Sequence, residues 1–119
     1  MSVREIPVVQ WDPFLDAFSR EHRAWLASVD RVHPGAPAHV EASERPLRSI
    51  EADAVTGIEI RLEDGTVRVE APKALRVDET EEGAAQGLEI EDWSGERVRL
   101  RFRVAEPPGA LDGLAPLER

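Results

Sequence analysis

The sequence predicts an α+β, mainly β fold: an N-terminal amphipathic helix followed by a five- or six-stranded antiparallel sheet or small barrel. Three observations carry this prediction. Large apolar residues recur at helical spacing from Trp11 to Trp25. Past Trp25, apolar and polar residues alternate with the period of a strand that buries one face. Two of the alternating runs are interrupted by turn sequences, Asp64-Gly65 and Trp93-Ser94-Gly95, that fold such runs into hairpins.

The helix is read from Trp11, Phe14, Leu15, Phe18, His22 and Trp25, which fall on one stripe. Asp12 can accept free backbone N–H groups at a helix start, and Pro13 loses no hydrogen bond in the first turn, so the helix is predicted over residues 13–23. His22 lies near its C-terminal end, where a cation favours the helix dipole. A first strand follows, with Trp25, Ala27 and Val29 on one face and Ser28 and Asp30 on the other. Residues 33–37 read as a turn and residues 38–43 as a second strand ended by Pro46. A loop or bent strand then passes through Leu47 and Ile50.

In the middle hairpin Ile58, Ile60 and Leu62 point inward, Asp64-Gly65 turns with positive φ, and Val67, Val69 and Ala71 return. That register pairs Leu62 with Val67, Ile60 with Val69 and Ile58 with Ala71. It also sets Arg61 against Arg68 and Glu59 against Glu70, which is unfavourable unless other strands supply opposite charge. Pro72 interrupts, Leu75 and Val77 form a short strand, and residues 78–87 are an acidic loop. The final hairpin has Leu88, Ile90, Val98, Leu100, Phe102 and Val104 inward, with Ile90 opposite Val98 and Leu88 opposite Leu100. Residues 1–104 are expected to form one helix-plus-β domain and residues 105–119 a Pro/Gly-rich tail. An open two-sided sheet would expose the face these strands bury. Two solutions remain open: a small curled barrel with the helix across one end, or a sheet with the helix on its apolar face.

Composition narrows the chemistry. The chain has no cysteine, which removes disulfides, thiolate metal sites and thiol nucleophiles. A net charge of −9 opposes general attraction to polyanions. No apolar run approaches the roughly 20 residues that cross a bilayer, and the N-terminus lacks a secretory leader pattern, so a cytoplasmic protein without membrane contact is expected. Phosphate-loop, zinc-protease, serine-hydrolase and dinucleotide patterns are absent. We therefore assign no catalytic, cofactor-binding or metal-ligating residue and expect no cofactor.

Five residues stand out as a possible interaction surface: Trp93, Arg97, Arg99, Arg101 and Arg103. The four arginines alternate with apolar residues, so they project from one face of the last strand about 7 Å apart. They read either as an anion or nucleic-acid track or as a charge ladder in which Glu91 lies opposite Arg97 and Glu89 opposite Arg99. The ladder is preferred, with Arg101 and Arg103 balanced by neighbouring strands or the tail. Eight acids between Asp78 and Glu96 lack calcium-loop spacing, and His33 and His39 lack a recognisable third ligand. Trp93 at a hairpin tip is expected to be exposed or packed against the tail.

The segment W-x-x-F-x-x-x-F-S-R-x-H-x-x-W, here Trp11, Phe14, Phe18, Ser19, Arg20, His22 and Trp25, resembles a family of small, mostly bacterial proteins of unknown function, domain family 5335. Pro46-Leu47-x-x-Ile50 and Leu88-Glu89-Ile90-Glu91 extend the likeness over most of the chain. The family pattern commonly has Gly before the last Trp, where this chain has Ala24. The resemblance implies a bacterial cytoplasmic setting and carries over no catalytic or ligand residues. The function expected from the residues is a non-catalytic protein-binding or self-associating module meeting a protein partner or another copy. Small-ligand or nucleic-acid binding through the Arg face is the second reading, and a carboxylate-dependent enzyme the third. No nucleic acid is expected as a partner.

Overall fold

The computed structural model describes residues 2–53 and 57–103. Its helix α1 runs Trp11–Glu21, two residues earlier at both ends than the apolar stripe suggests. A 3-10 turn, Val8–Gln10, leads into Trp11, so Asp12 falls in the first helical turn and does not cap it. At the other end, the His22 N–H closes on the Phe18 carbonyl and the chain turns at Ala24, whose φ is +73°. That left-handed backbone is held by a reciprocal clasp: the Ala24 N–H donates to Leu47 O at 2.8 Å and the Leu47 N–H to Trp25 O at 2.9 Å. A position of this kind favours glycine, which gives the Gly of the family pattern a physical reason.

Eight strands follow or flank the helix: β1 Ser2–Ile6, β2 Leu26–Val32, β3 His39–Asp53, β4 Gly57–Leu62, β5 Gly65–Val69, β6 Pro72–Glu79, β7 Ala85–Asp92 and β8 Arg97–Phe102. They form one antiparallel sheet of order β1-β6-β7-β8-β2-β3-β4-β5. The expected five or six strands are therefore corrected to eight among the described residues. The small barrel is overturned, because β1 and β5 end the order as edges and do not pair. The helix on the apolar face is the solution used: Trp11, Leu15 and Phe18 join the buried strand residues in one core.

The fifteen-residue β3 explains much of this shape. Its first part pairs with β2 and its second with β4, and the change falls at Glu44, with φ of +49°, and Pro46. Pro46 does not end the strand. It stands where one ladder gives way to the next, and its carbonyl accepts the Glu63 N–H at 3.0 Å. Beyond Pro46, β2 leaves one edge of β3 uncovered and α1 meets it. Ser19 Oγ accepts the Ile50 N–H at 2.8 Å and donates to the Ile50 carbonyl at 3.2 Å, supplying both bonds that a missing strand would have made.

The two hairpins fared differently. The last one has the register read from sequence, with Leu88 opposite Leu100, Ile90 opposite Val98, and Gly95 at φ +94°. The middle one is shifted by two residues: Leu62 meets Gly65, Ile60 meets Val67 and Ile58 meets Val69. The turn is Glu63-Asp64, Gly65 lacks positive φ, and Ala71 is exposed with φ +51° instead of pairing with Ile58. A two-residue slip keeps Ile58, Ile60, Leu62, Val67 and Val69 inward, losing only Ala71 from the expected set, while replacing the like-charge pairs by Glu59 opposite Arg68, which bond at 2.6 Å. The acidic loop shrinks to residues 80–84, because Asp78 and residues 85–87 belong to strands. Trp25, expected inward with Ala27 and Val29, is 43% exposed. Val104 and the tail over residues 105–119 lie outside the described residues.

Candidate functional site

Arg97, Arg99 and Arg101 project from the outer face of β8, since Val98 and Leu100 between them are buried. Their partners are set by the strands on either side. On β2, Asp30 reaches Arg101 at 3.1 Å and Arg99 at 3.9 Å. On β7, Glu89 and Glu91 stand opposite Arg99 and Arg97 as the register requires, yet both glutamates bond Arg76 of β6 at 3.1 Å. Arg97 keeps only a 3.9 Å approach to Glu89. The expected rungs from Glu91 to Arg97 and from Glu89 to Arg99 are thus replaced by Arg76 on one side and Asp30 on the other. Arg103, just past β8, lies 3.7 Å from Glu44, so balance by a neighbouring strand holds for it and for Arg101.

Arg76 is the hub of this face. Partial burial would lower its pKa, and the hydrogen bonds it donates to Glu91 and Glu89 outweigh that and hold it raised. Arg76, Arg97, Arg99 and Arg101 share the face with Glu5, Asp30, Asp78, Glu89 and Glu91, so it carries no positive excess. A similar knot sits beside the hairpin tip. Arg31 bonds Glu96 and Glu41, and donates to the Arg68 carbonyl on the β5 edge. His33 and His39 flank it at 3.6 Å from Glu96 and 3.9 Å from Glu41. Among the described residues, no group of three or more His, Asp or Glu side chains is arranged to hold a metal ion.

Trp93 does not join the arginine row. It sits at the β7–β8 tip, 71% exposed, with Lys73 Nζ 5.2 Å from its ring centre. Asp92 organises the tip: its Oδ1 accepts the Ser94 N–H at 2.9 Å, the Ser94 hydroxyl at 2.6 Å and the Glu96 N–H at 3.0 Å. Burial would raise the Asp92 pKa, and these bonds together with the Gly95 N–H lower it below the ordinary carboxylate range. The Trp93 N–H reaches back to the Ala71 carbonyl, which places the ring beside the β5–β6 junction. On that same end, a groove of about 650 Å³ is lined by the apolar Trp11, Ala52, Ile58, Ala71 and Pro72 together with the carboxylates Asp12 and Asp53. Val8 and Val9 on its rim are 65% and 87% exposed. Sequence reasoning missed these valines, because three residues of 3-10 turn carry no periodicity. It also passed over Lys73 and Asp30, although Lys73 is the chain's one lysine.

Three of the helix residues that carried the family resemblance, Trp11, Ser19 and His22, act at the seam between helix and sheet. Trp11 Nε1 donates to Ile6 O at 2.9 Å, Ser19 holds Ile50, and the buried His22 donates from Nδ1 to Phe18 O at 2.8 Å. The His22 ring stacks on Phe102 at 4.7 Å and meets the edge of Trp25 at 4.5 Å. Among the described residues, no helix is long and apolar enough to cross a membrane. No curated protein and no solved structure matches the chain. A family model does match, over residues 2–111 and hence nearly the whole sequence, and its description reads family of unknown function. On that match the chain belongs to the family of unknown function DUF5335.

Proposed function

We propose that this domain is a non-catalytic self-associating module, in which two copies meet through the end of the sheet that carries Trp93. The carrying observation is the pairing of a knob and a hole on one end: an exposed Trp93 beside a groove with apolar walls, two carboxylates, and Val8 and Val9 on its rim. Exposed aromatic and aliphatic groups clustered in this way favour contact over solvation. Charge supports a twofold arrangement. Lys73 beside Trp93 and Asp12 in the groove form no ion pair among the described residues, in a molecule where most arginines have one. In an isologous dimer each Lys73 meets the other copy's Asp12. Such an end-to-end contact belongs with the weak, concentration-dependent associations that bury less than roughly 1,200 Å².

Two further features support a non-enzymatic reading. Glu59 and Asp92, the carboxylates with shifted pKa, are both held lower, which suits ion pairing and not proton donation at neutral pH. The balanced arginine face also argues against binding nucleic acid at physiological salt. The resemblance to a mostly bacterial family carries the proposal that the setting is a bacterial cytoplasm. Sedimentation velocity across a concentration series tests the dimer. Trp93→Ser, Lys73→Glu and Asp12→Lys should each shift the distribution to monomer, and the Lys73→Glu/Asp12→Lys double variant should regain dimer. A monomer at every concentration, or a Trp93→Ser variant that associates like the wild type, would sink the proposal.

A further inference from the structure

The end of the sheet opposite the Trp93 tip carries an aromatic surface that the self-association reading does not use. Trp25 packs edge to face with the His22 and Phe102 rings at 4.5 Å and 5.2 Å, yet its indole is half-exposed. Phe102 is partly buried and stacks on Phe18 at 5.7 Å, so the half-bare indole is the outermost ring of a cluster that continues into the core. An aromatic group left open on one side of such a cluster gains by being covered.

The chain itself leads to this surface. Ala27 is opposite Phe102 where β2 and β8 run together, and past that pair the Arg103 N–H donates to Leu26 O at 2.9 Å. The Arg103 side chain lies 3.7 Å from Glu44, which ties the exit of β8 to β3. One further step of the same register brings residue 104 level with Trp25. Residues 104–111 lie outside the described residues, and the family match runs through them to residue 111, past the last strand. They begin Val104-Ala105-Glu106-Pro107-Pro108, apolar but for the glutamate. A proline pair is already extended and loses little entropy on an aromatic surface.

We propose that residues 104–108 are the cover: they fold back on their own domain as a strap, with Val104 and the proline pair against the Trp25 indole. The occupant is this segment and not a second copy, because it starts at the surface it covers. Tethering one step away gives it an effective concentration that a separate chain does not reach. On the self-association reading, the strap also sets the size of the assembly. A second open aromatic end would link dimers into chains, and covering Trp25 leaves the Trp93 end as the contact.

The test is a nuclear Overhauser experiment on the full chain, run on a mixture of isotope-labelled and unlabelled protein to separate contacts within a copy from contacts between copies. Contacts within one copy are expected between the Trp25 indole protons and the side chains of residues 104–108. Trp25→Ala should shift the amides of residues 104–108 toward random-coil positions while the Ile58 and Ile60 amides stay in place. Pro107→Ser/Pro108→Ser should speed solvent exchange of the Trp25 indole N–H several-fold. Contacts found only between copies would make a second copy the occupant and overturn the strap. No contact from Trp25 to residues 104–108, or an unchanged exchange rate in the double variant, would overturn it as well. Should Trp25→Ala fail to fold, the wild-type contacts and the proline variant decide. The Trp93 end takes no part in these readouts, so the strap and the dimer fail separately.

Discussion

Replacing Ser19 by alanine removes one hydroxyl and strands two backbone groups. Ser19 is 5% exposed and Ile50 1% exposed, so neither the Ile50 N–H nor its carbonyl has ready access to water once the hydroxyl is gone. The wild-type bonds are 2.8 Å and 3.2 Å, one accepted and one donated by the same oxygen. Alanine fills nearly the same volume, so the cost is almost purely polar: about 1 to 3 kcal/mol per unmet group, and about 2 to 4 kcal/mol for the pair after partial relaxation. For a domain of this size, that corresponds to a fall in Tm of very roughly 8 to 16 °C. Ser43→Ala on the exposed part of β3 is the control and should stay within about 0.5 kcal/mol. Urea unfolding followed by circular dichroism gives the energy, and amide hydrogen exchange gives the place. The Ile50 amide should lose protection in Ser19→Ala while the Ile58 and Ile60 amides of β4 keep theirs. A loss below about 0.5 kcal/mol with Ile50 still protected would refute the view that Ser19 stands in for a strand.

Three further outcomes are expected. Ala24→Gly relieves a left-handed alanine at +73° and should raise stability by about 0.5 to 1 kcal/mol after the entropic cost of glycine; an unchanged or lower Tm would count against the strain. Gly57→Ala places a Cβ 2.1 Å from Val69 O at φ +92°, whereas Gly35→Ala at φ +75° meets nothing within 4 Å. The first should therefore cost well over 2 kcal/mol and the second about 1, and equal melting curves would contradict the close approach. Asp92 has its folded pKa lowered, so its contribution to the tip is present above the ordinary Asp value and is lost as pH falls through the folded value. Trp93 fluorescence should report loosening in acid that Asp92→Asn abolishes; the same acid transition in that variant would remove Asp92 from the account.

What could be read from the sequence depended on whether independent signals agreed. In the last hairpin they did: alternation, a Gly at the left-handed turn position and opposite charges across the strands selected one register. In the middle hairpin, alternation cannot distinguish registers two residues apart, and the Asp-Gly turn preference pointed one way while charge pairing pointed the other. Charge was the better guide, because Glu59 opposite Arg68 satisfies a pair that the turn-based register would have set in repulsion. The strand β1 was illegible for a different reason: only Ile6 of its five residues is buried, so no period exists to detect. The partners of the arginine row needed the strand order itself, since β2 lies sixty-odd residues from β8 in the chain yet supplies Asp30 beside it.

The same distinction separates the residues of the framework from those left for contact in this chain. Trp11, Phe18, Ser19 and His22, with Leu47 and Ile50 on β3, all act at the contact of α1 with the sheet, where each has a hydrogen bond or a buried ring to account for it. The features that docking does not explain lie elsewhere, at the exposed Trp93 with Lys73 beside it and at the valines on the groove rim. Stability measurements on the first group and association measurements on the second should therefore respond to different substitutions: Ser19→Ala should lower Tm while preserving the dimer series below its melting point, and Trp93→Ser should do the reverse. A Trp93→Ser variant that loses stability as Ser19→Ala does would place Trp93 in the framework and remove the carrying observation of the dimer proposal.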